Sequence, residues 1–312
     1  MTASTISVSS IVLSKIEFYE FASDRLGGQV DCERLQETLA QRFQLSGRAV
    51  VLTPAGGGTL GICFDATLSG EPRFLKTHLP RARARANLAK EAEILRKLYG
   101  PAVALDCFDV QLSDGTSRLC LLMPKLMQLS APMRADEAAA LSRQCNEQLR
   151  GYQVETPASD WSFAQLLVYA HRAVAVLLDR GLLDQKSTND VRRLIAHLED
   201  YLDDQPRRLC HGDFGPRNIM TDGVRPLVID WEDAFSGIEG YDYLYWLTFI
   251  ENRRFLHEAL GRTGQEPALE HAILALIVVL KSYLSVCSGS FASHRISIQS
   301  RVSEILDLRK VA

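Results

Sequence analysis

The chain has 312 residues, 46% hydrophobic and 23% charged, with a formal net charge of −3 at pH 7. That is an ordinary globular composition, long enough for one or two cores, and it exerts no global pull on nucleic acid or anionic lipid. Seven scattered cysteines without a CxxC pair argue against a disulfide scaffold or a thiolate zinc site, and fit a reducing cytoplasm.

The N-terminal stretch lacks a basic region and is broken by Lys15 and Glu17, so it makes a poor secretory signal. The longest unbroken apolar run, Ala272 to Leu280, is nine residues, against the roughly 20 a membrane helix needs. We expect a cytoplasmic protein with neither a membrane nor a nucleic-acid partner. Its oligomeric state has no signal in the chain.

In chain order, Leu35, Leu39 and Phe43 give residues 31–43 a helical spacing. Residues 49–68 read as two β-rich stretches joined by Gly56, Gly57, Gly58 and Gly61, and 73–79 as a further strand. Leu88, Ala92, Leu95 and Leu98 line one face of a helix over 86–100, stopped by Gly100-Pro101. Arg81, Arg83 and Arg85 alternate just ahead of it and read as its solvated approach. An apolar run over 118–126 is ended by Pro124. Beyond Ala131 the texture turns helical, over 135–150, 161–182, 187–203 and 267–287, and only 209–230 looks β-rich. The expected order is a strand-rich N-lobe with one clear helix, residues 1–124, then a larger helical C-lobe, residues 125–312, with a hairpin inserted.

The stretch LCHGDFGPRNIM begins at Leu209, and IDWEDA begins at Ile229. Between them Asp222-Gly223 separates two apolar segments, a strong hairpin signal. Such a hairpin brings Asn218 and Asp230 to one open end, with Asp213 in the loop feeding it. Taken singly, these are ordinary loop and strand-end residues. Together they offer three hard oxygen donors, which suits Mg²⁺ held by carboxylates and substrate phosphates.

The pattern H-G-D-x-x-x-x-N followed by I-D-W closely resembles the catalytic core of the aminoglycoside phosphotransferase and choline kinase-like family, the small-molecule kinases of the protein-kinase-like fold. The resemblance covers roughly residues 45 to 246. It implies an α+β, two-lobed fold: a mostly antiparallel sheet with one key helix, then a mainly helical lobe carrying the catalytic hairpin. It implies Asp213 as catalytic base, Asn218 and Asp230 as Mg²⁺ ligands, and His211 with Gly212 shaping the loop. Gly56, Gly57 and Gly58 would cover the phosphates. Lys76 would reach the α/β-phosphates and Glu91 would hold Lys76, with Glu93 as its competitor.

Two positions depart from the kinase pattern. Gly215 stands where protein kinases place a lysine; Arg217 is the candidate to replace that charge, against the plainer reading of a solvent-facing arginine. Pro124 falls near the adenine hinge and offers no N–H, so nucleotide contact is assigned to neighbouring backbone at Met123. ATP is the expected donor, with GTP left open.

For the acceptor, Glu232, Asp233, Glu239, Asp242 and Glu251 are interleaved with Tyr241, Tyr243, Tyr245 and Trp246. Acids among aromatics suit a cationic acceptor, and the resemblance points to amino sugars or amino alcohols such as choline. The competing reading has Asp242 bracing the catalytic loop and the aromatics packing the core. The expected activity is ATP- and Mg²⁺-dependent phosphoryl transfer to a hydroxyl of a small, amine-bearing molecule. The alternatives are a kinase for a neutral sugar or hydroxy amino acid, and a pseudokinase that binds without turnover.

Overall fold

Leu35 and Leu39, one helical turn apart, bury a face of helix α1 (Cys32–Arg42) against a five-stranded antiparallel sheet. The computed structural model describes residues 32–55, 61–79, 82–112, 115–153, 162–201, 206–258 and 260–308. The glycines at 56–58 lie outside the described residues. The strands are β1 (Val50–Ala55), β2 (Gly61–Leu68), β3 (Glu71–His78), β4 (Asp106–Gln111) and β5 (Ser117–Pro124), in the order β1-β2-β3-β5-β4. β4 was not anticipated; only Phe108 and Val110 alternate inward along it, too brief a pattern to stand out.

Side chains alternate across a strand, and here that alternation separates packing from chemistry. Phe64, Leu75 and Leu122, paired across three strands, face α1. Their neighbours Cys63, Lys76 and Leu121 share the opposite face, with Met123 further along β5. That face meets α2 (Ala82–Tyr99). The helix starts at Ala82 rather than at residue 86, because the Arg-Ala run is made of strong helix formers. Arg83 and Arg85 thus lie in its first turn instead of approaching it, and Arg85 reaches Asp109 on β4 at 3.0 Å.

The rest is mainly helical: α3 (Ala135–Gln148), α4 (Phe163–Asp179), α5 (Gln185–Tyr201), α6 (Tyr241–Leu247), α7 (Pro267–Cys287) and α8 (Ile298–Asp307). α8 was not anticipated, whereas α6 is the helix that the packing reading of the aromatics requires. α7 is long and apolar enough to cross a bilayer, yet it is buried among α4, α5, α6 and α8 as the core helix of this region. Its packing is continuous with α2 and the inner face of the sheet, so one hydrophobic cluster runs behind the whole site.

Two small sheets present the motif. β6 (Met127–Gln128), β8 (Ile219–Thr221) and β9 (Pro226–Val228) form one, and β7 (Arg207–Cys210) pairs with β10 (Phe235–Ile238) in the other. Asp222-Gly223 does turn the β8–β9 hairpin, though within a wider loop than a two-residue turn. Asp222 Oδ1 accepts from the N–H groups of Val224 and Arg225, at 2.9 and 3.0 Å, and Gly223 takes φ 92°.

Arg42 secures α1 to the sheet by binding Asp106 (Nη2 to Oδ1, 2.9 Å) and lying over the Phe108 ring. The hydrogen bond from Arg42 holds the Asp106 carboxyl below its ordinary range. The pair is partly exposed, so it contributes about 0.5 kcal/mol. Asp106→Asn should lose that much between pH 5 and pH 7. A depressed carboxyl pKa stabilises only the ionised form, so the difference from wild type should shrink below about pH 4. Urea unfolding of both proteins across that range checks it.

Candidate active site

Lys76 is the hub. β3 points it away from Leu75 into the interior, where its ammonium meets Glu91 of α2 at 2.7 Å, Asp230 at 2.5 Å and Glu232 at 3.4 Å. Burial disfavours its charge, but Asp230, Glu232 and Glu91 outweigh that and hold its pKa well above the ordinary lysine value. Glu91 faces the opposite pull: burial pushes its carboxyl up to about 7 against the attraction of Lys76. Its second oxygen accepts the Asp230 N–H at 3.0 Å.

Asp230 reaches both partners because it sits in the left-handed region (φ 67°, ψ 51°), which aspartate tolerates better than most residues. The bend lets its N–H meet Glu91 and its carboxylate meet Lys76. α2 also grips the far end of this turn, where Lys90 donates to the Ala234 carbonyl at 2.8 Å. Burial draws the Lys90 ammonium down to about 8, against the nearby carboxylates of Asp233 and Glu232.

The catalytic-type loop is braced from beneath. Asp242 of α6 accepts the N–H groups of His211 and Gly212 at 2.8 and 2.9 Å, and Gly212 takes φ 83° to present its own. Burial raises the Asp242 carboxyl pKa against those two bonds. The fully buried His211 ring accepts the Asp213 N–H at Nδ1 (3.1 Å) and contacts the Ile229 carbonyl through Nε2 (2.8 Å). Those partners fit the tautomer protonated on Nε2. His211 therefore ties the loop to the end of the hairpin.

Asn218 binds both sides of that junction. Its side-chain N–H donates to the Asp213 carbonyl at 2.8 Å, and its own carbonyl accepts from Ile229 at 2.9 Å. An amide whose N–H₂ is so used offers its oxygen as the remaining donor atom to an ion. Asn218 and Asp230 thus present an amide oxygen and a carboxylate, and three carboxylates face the one Lys76 ammonium. This donor set fits a small hard cation such as Mg²⁺.

Asp213 lines a cavity of about 320 Å³ with Gly215, Pro216, Arg217, Asn218, Phe249 and Glu251. Arg217 is exposed. The Tyr245 hydroxyl donates to Asp213 Oδ1 at 2.8 Å. Gly215 has a steric reason: a Cβ there would lie 2.6 Å from Cζ of Phe249, so no side chain fits while that ring is in place.

Two groups of expected residues are thus brought together: Lys76, Glu91 and Asp230 in one, Asp213, Asn218 and Arg217 in the other. Met123 is buried on β5, on the face that carries Lys76. Glu93 accepts the Tyr152 hydroxyl, leaving Glu91 for the lysine. The acidic tract disperses. Asp242 braces the loop, Glu232 joins Lys76, Asp233 is buried, Glu239 pairs with Arg208 at 3.5 Å, and Glu251 alone of the five lines the cavity. Tyr241, Tyr243, Tyr245 and Trp246 are buried. Glu232 and Tyr245 are the contacts that sequence reasoning missed.

Residues 52–273 match the model of a family described as the phosphotransferase enzyme family. Hygromycin-B 4-O-kinase of Escherichia coli is 28% identical over 120 residues; the match spans 35% of this chain and 35% of that relative's length. A thermostable mutant of aminoglycoside phosphotransferase APH(4)-Ia, solved in a ternary complex with AMP-PNP and hygromycin B, superimposes with a TM-score of 0.53 at 18% identity, over 89% of this chain and 99% of that one. A microcompartment-associated aminopropanol kinase gives 0.54 at 17%, over 90% and 95%. A choline kinase from Cryptosporidium parvum gives 0.57 at 10%, over 90% and 96%. These likenesses show the α+β, protein-kinase-like fold.

The Gly215 contact is directly testable. Gly215→Ala should overpack the Phe249 ring and destabilise the protein by about 1 to 2 kcal/mol. Adding Phe249→Leu should return part of that loss, as chemical denaturation of the two variants would show.

Proposed function

The chain belongs to the phosphotransferase enzyme family, and we propose that it moves the γ-phosphoryl group of ATP to a hydroxyl of a small acceptor. The observation that supports this best is the pairing of two sites. The buried Lys76–Glu91–Asp230 hub suits nucleotide phosphates, and Asp213 lines a separate cavity sized for a small molecule.

In this reading residues 1–124 and 125–312 are the two lobes, with the nucleotide between them. Lys76 neutralises phosphate oxygens while Glu91 holds it in place. Backbone near Met123 takes the adenine, and Gly56, Gly57 and Gly58 cover the phosphates. Asn218 and Asp230 hold Mg²⁺, which when bound neutralises charge on the phosphates. Asp213 accepts the acceptor's hydroxyl proton as its oxygen bonds to the γ-phosphorus. His211 and Asp242 keep that carboxylate placed, and Arg217 offers positive charge at the cavity. Phosphoryl transfer depends on positioning and charge more than on covalent help, which is what these groups supply.

The acceptor we favour carries an amine as well as a hydroxyl. Glu251 supports it by lining the cavity beside Asp213. The acceptors named for the relatives, hygromycin B, aminopropanol and choline, share a hydroxyl and a cationic nitrogen, an amine in the first two and a quaternary ammonium in choline. All seven cysteines are free thiols, which suits work in the cytoplasm.

ADP release should appear with ATP, Mg²⁺ and one member of a panel of aminoglycosides, amino alcohols, sugars and hydroxy amino acids, and chelation should abolish it. Asp213→Asn should lower it about 10²- to 10⁴-fold while nucleotide binding persists. Running GTP in parallel settles the donor. Bound nucleotide without turnover on any acceptor would favour a pseudokinase instead.

A further inference from the structure

Asp213 is not oriented by its own loop alone. Tyr245 lies one helical turn after Asp242 on α6, so both project from the same face. Asp242 grips the loop backbone at His211 and Gly212, and the Tyr245 hydroxyl grips the Asp213 carboxylate at 2.8 Å. Burial, then Asp213 itself, hold the Tyr245 phenol pKa well above its ordinary value, so the hydroxyl stays a donor.

A cation stands behind that donor. Lys281 of α7 places Nζ 4.2 Å from the centroid of the Tyr245 ring and 3.6 Å from that of Phe249. It also donates to Thr248 Oγ1 at 2.9 Å, and Thr248 in turn donates to the Tyr245 carbonyl at 2.6 Å. Tyr245, Thr248 and Phe249, within two turns of chain, thus form a cage for one ammonium. A cation over a phenol ring draws electron density from it and makes its O–H a better hydrogen-bond donor.

We propose that Tyr245 is a positioning residue for phosphoryl transfer, strengthened by Lys281, which pins Asp213 Oδ1 so that Oδ2 takes the acceptor's proton. This rests on the phosphotransferase reading above. An oxygen already accepting a strong hydrogen bond is the weaker base of the two. As the hydroxyl proton passes to Oδ2, the acceptor oxygen bonds to the γ-phosphorus, and the β–γ bridging bond breaks with its electron pair leaving on ADP.

Tyr245→Phe keeps the ring and its cation contact and removes only the hydroxyl. The test reads ADP release from MgATP with water as acceptor, beside wild type and Asp213→Asn, together with crystal structures of wild type and Tyr245→Phe bound to ADP. We expect kcat about tenfold lower in Tyr245→Phe, the scale of one hydrogen bond to a charged group, with nucleotide KM and melting temperature unchanged. Lys281→Met should slow turnover less, and the double variant should be no slower than Tyr245→Phe alone, because Lys281 acts through the hydroxyl. Unchanged kcat, a matching rise in KM, or additive losses in the double variant would overturn the proposal. Wild-type turnover equal to that of Asp213→Asn would instead count against the phosphotransferase reading. The crystal structures then still decide the positioning role: an Asp213 carboxylate that turns away in Tyr245→Phe upholds it, and one that stays in place refutes it.

Discussion

A buried ammonium shared by three carboxylates is the constraint around which the site is organised. Lys76 comes from the sheet, Glu91 from α2, and Asp230 and Glu232 from the turn after β9. Buried ion pairs are weak evidence for stability, since desolvation offsets much of their attraction. Losing one partner is different, because it strands the others without compensation. The hub therefore dictates geometry: the sheet, the helix and the turn must arrive together. Lys90, gripping the Ala234 carbonyl, fixes α2 to the same turn a second time.

Much of this proximity was legible in the chain because it is built locally. Asn218 pairs with Ile229, the residue before Asp230, since a hairpin joins them, and Asp213 follows since it lies five residues upstream of Asn218. Lys76 and Glu91 were readable from the resemblance and from their order ahead of the loop, helix phase favouring Glu91 over Glu93 only modestly. Glu232 was harder: it stands two residues beyond Asp230, and only the left-handed backbone at Asp230 brings it back toward Lys76. Tyr245 and Lys281 had no local signal. One sits in an aromatic run that reads as core, and the other reaches it from a helix more than thirty residues later.

The acidic tract shows how composition can mislead. Five acids among aromatics could be read as a pocket for a cation or as packing, and four of them are engaged elsewhere, in the turn after β9, at Glu239 after β10 and in the short helix α6. Asp242 in particular is consumed by two backbone N–H groups. The aromatics pack around α7, whose length and hydropathy reflect a core position. Gly215 is similar: its lack of a side chain follows from the ring of Phe249 lying against it.

The sharing of Lys76 has a thermodynamic consequence. In the hub Asp230 and Lys76 satisfy one another, so each is masked from an external partner of opposite charge. An anion that draws Lys76 away unmasks the Asp230 carboxylate, and a cation that settles on Asp230 releases the ammonium. Each ligand lowers the cost of admitting the other, and by linkage the benefit is equal in both directions. The salt bridge thus acts as a latch that opens most readily to a matched pair of opposite charges.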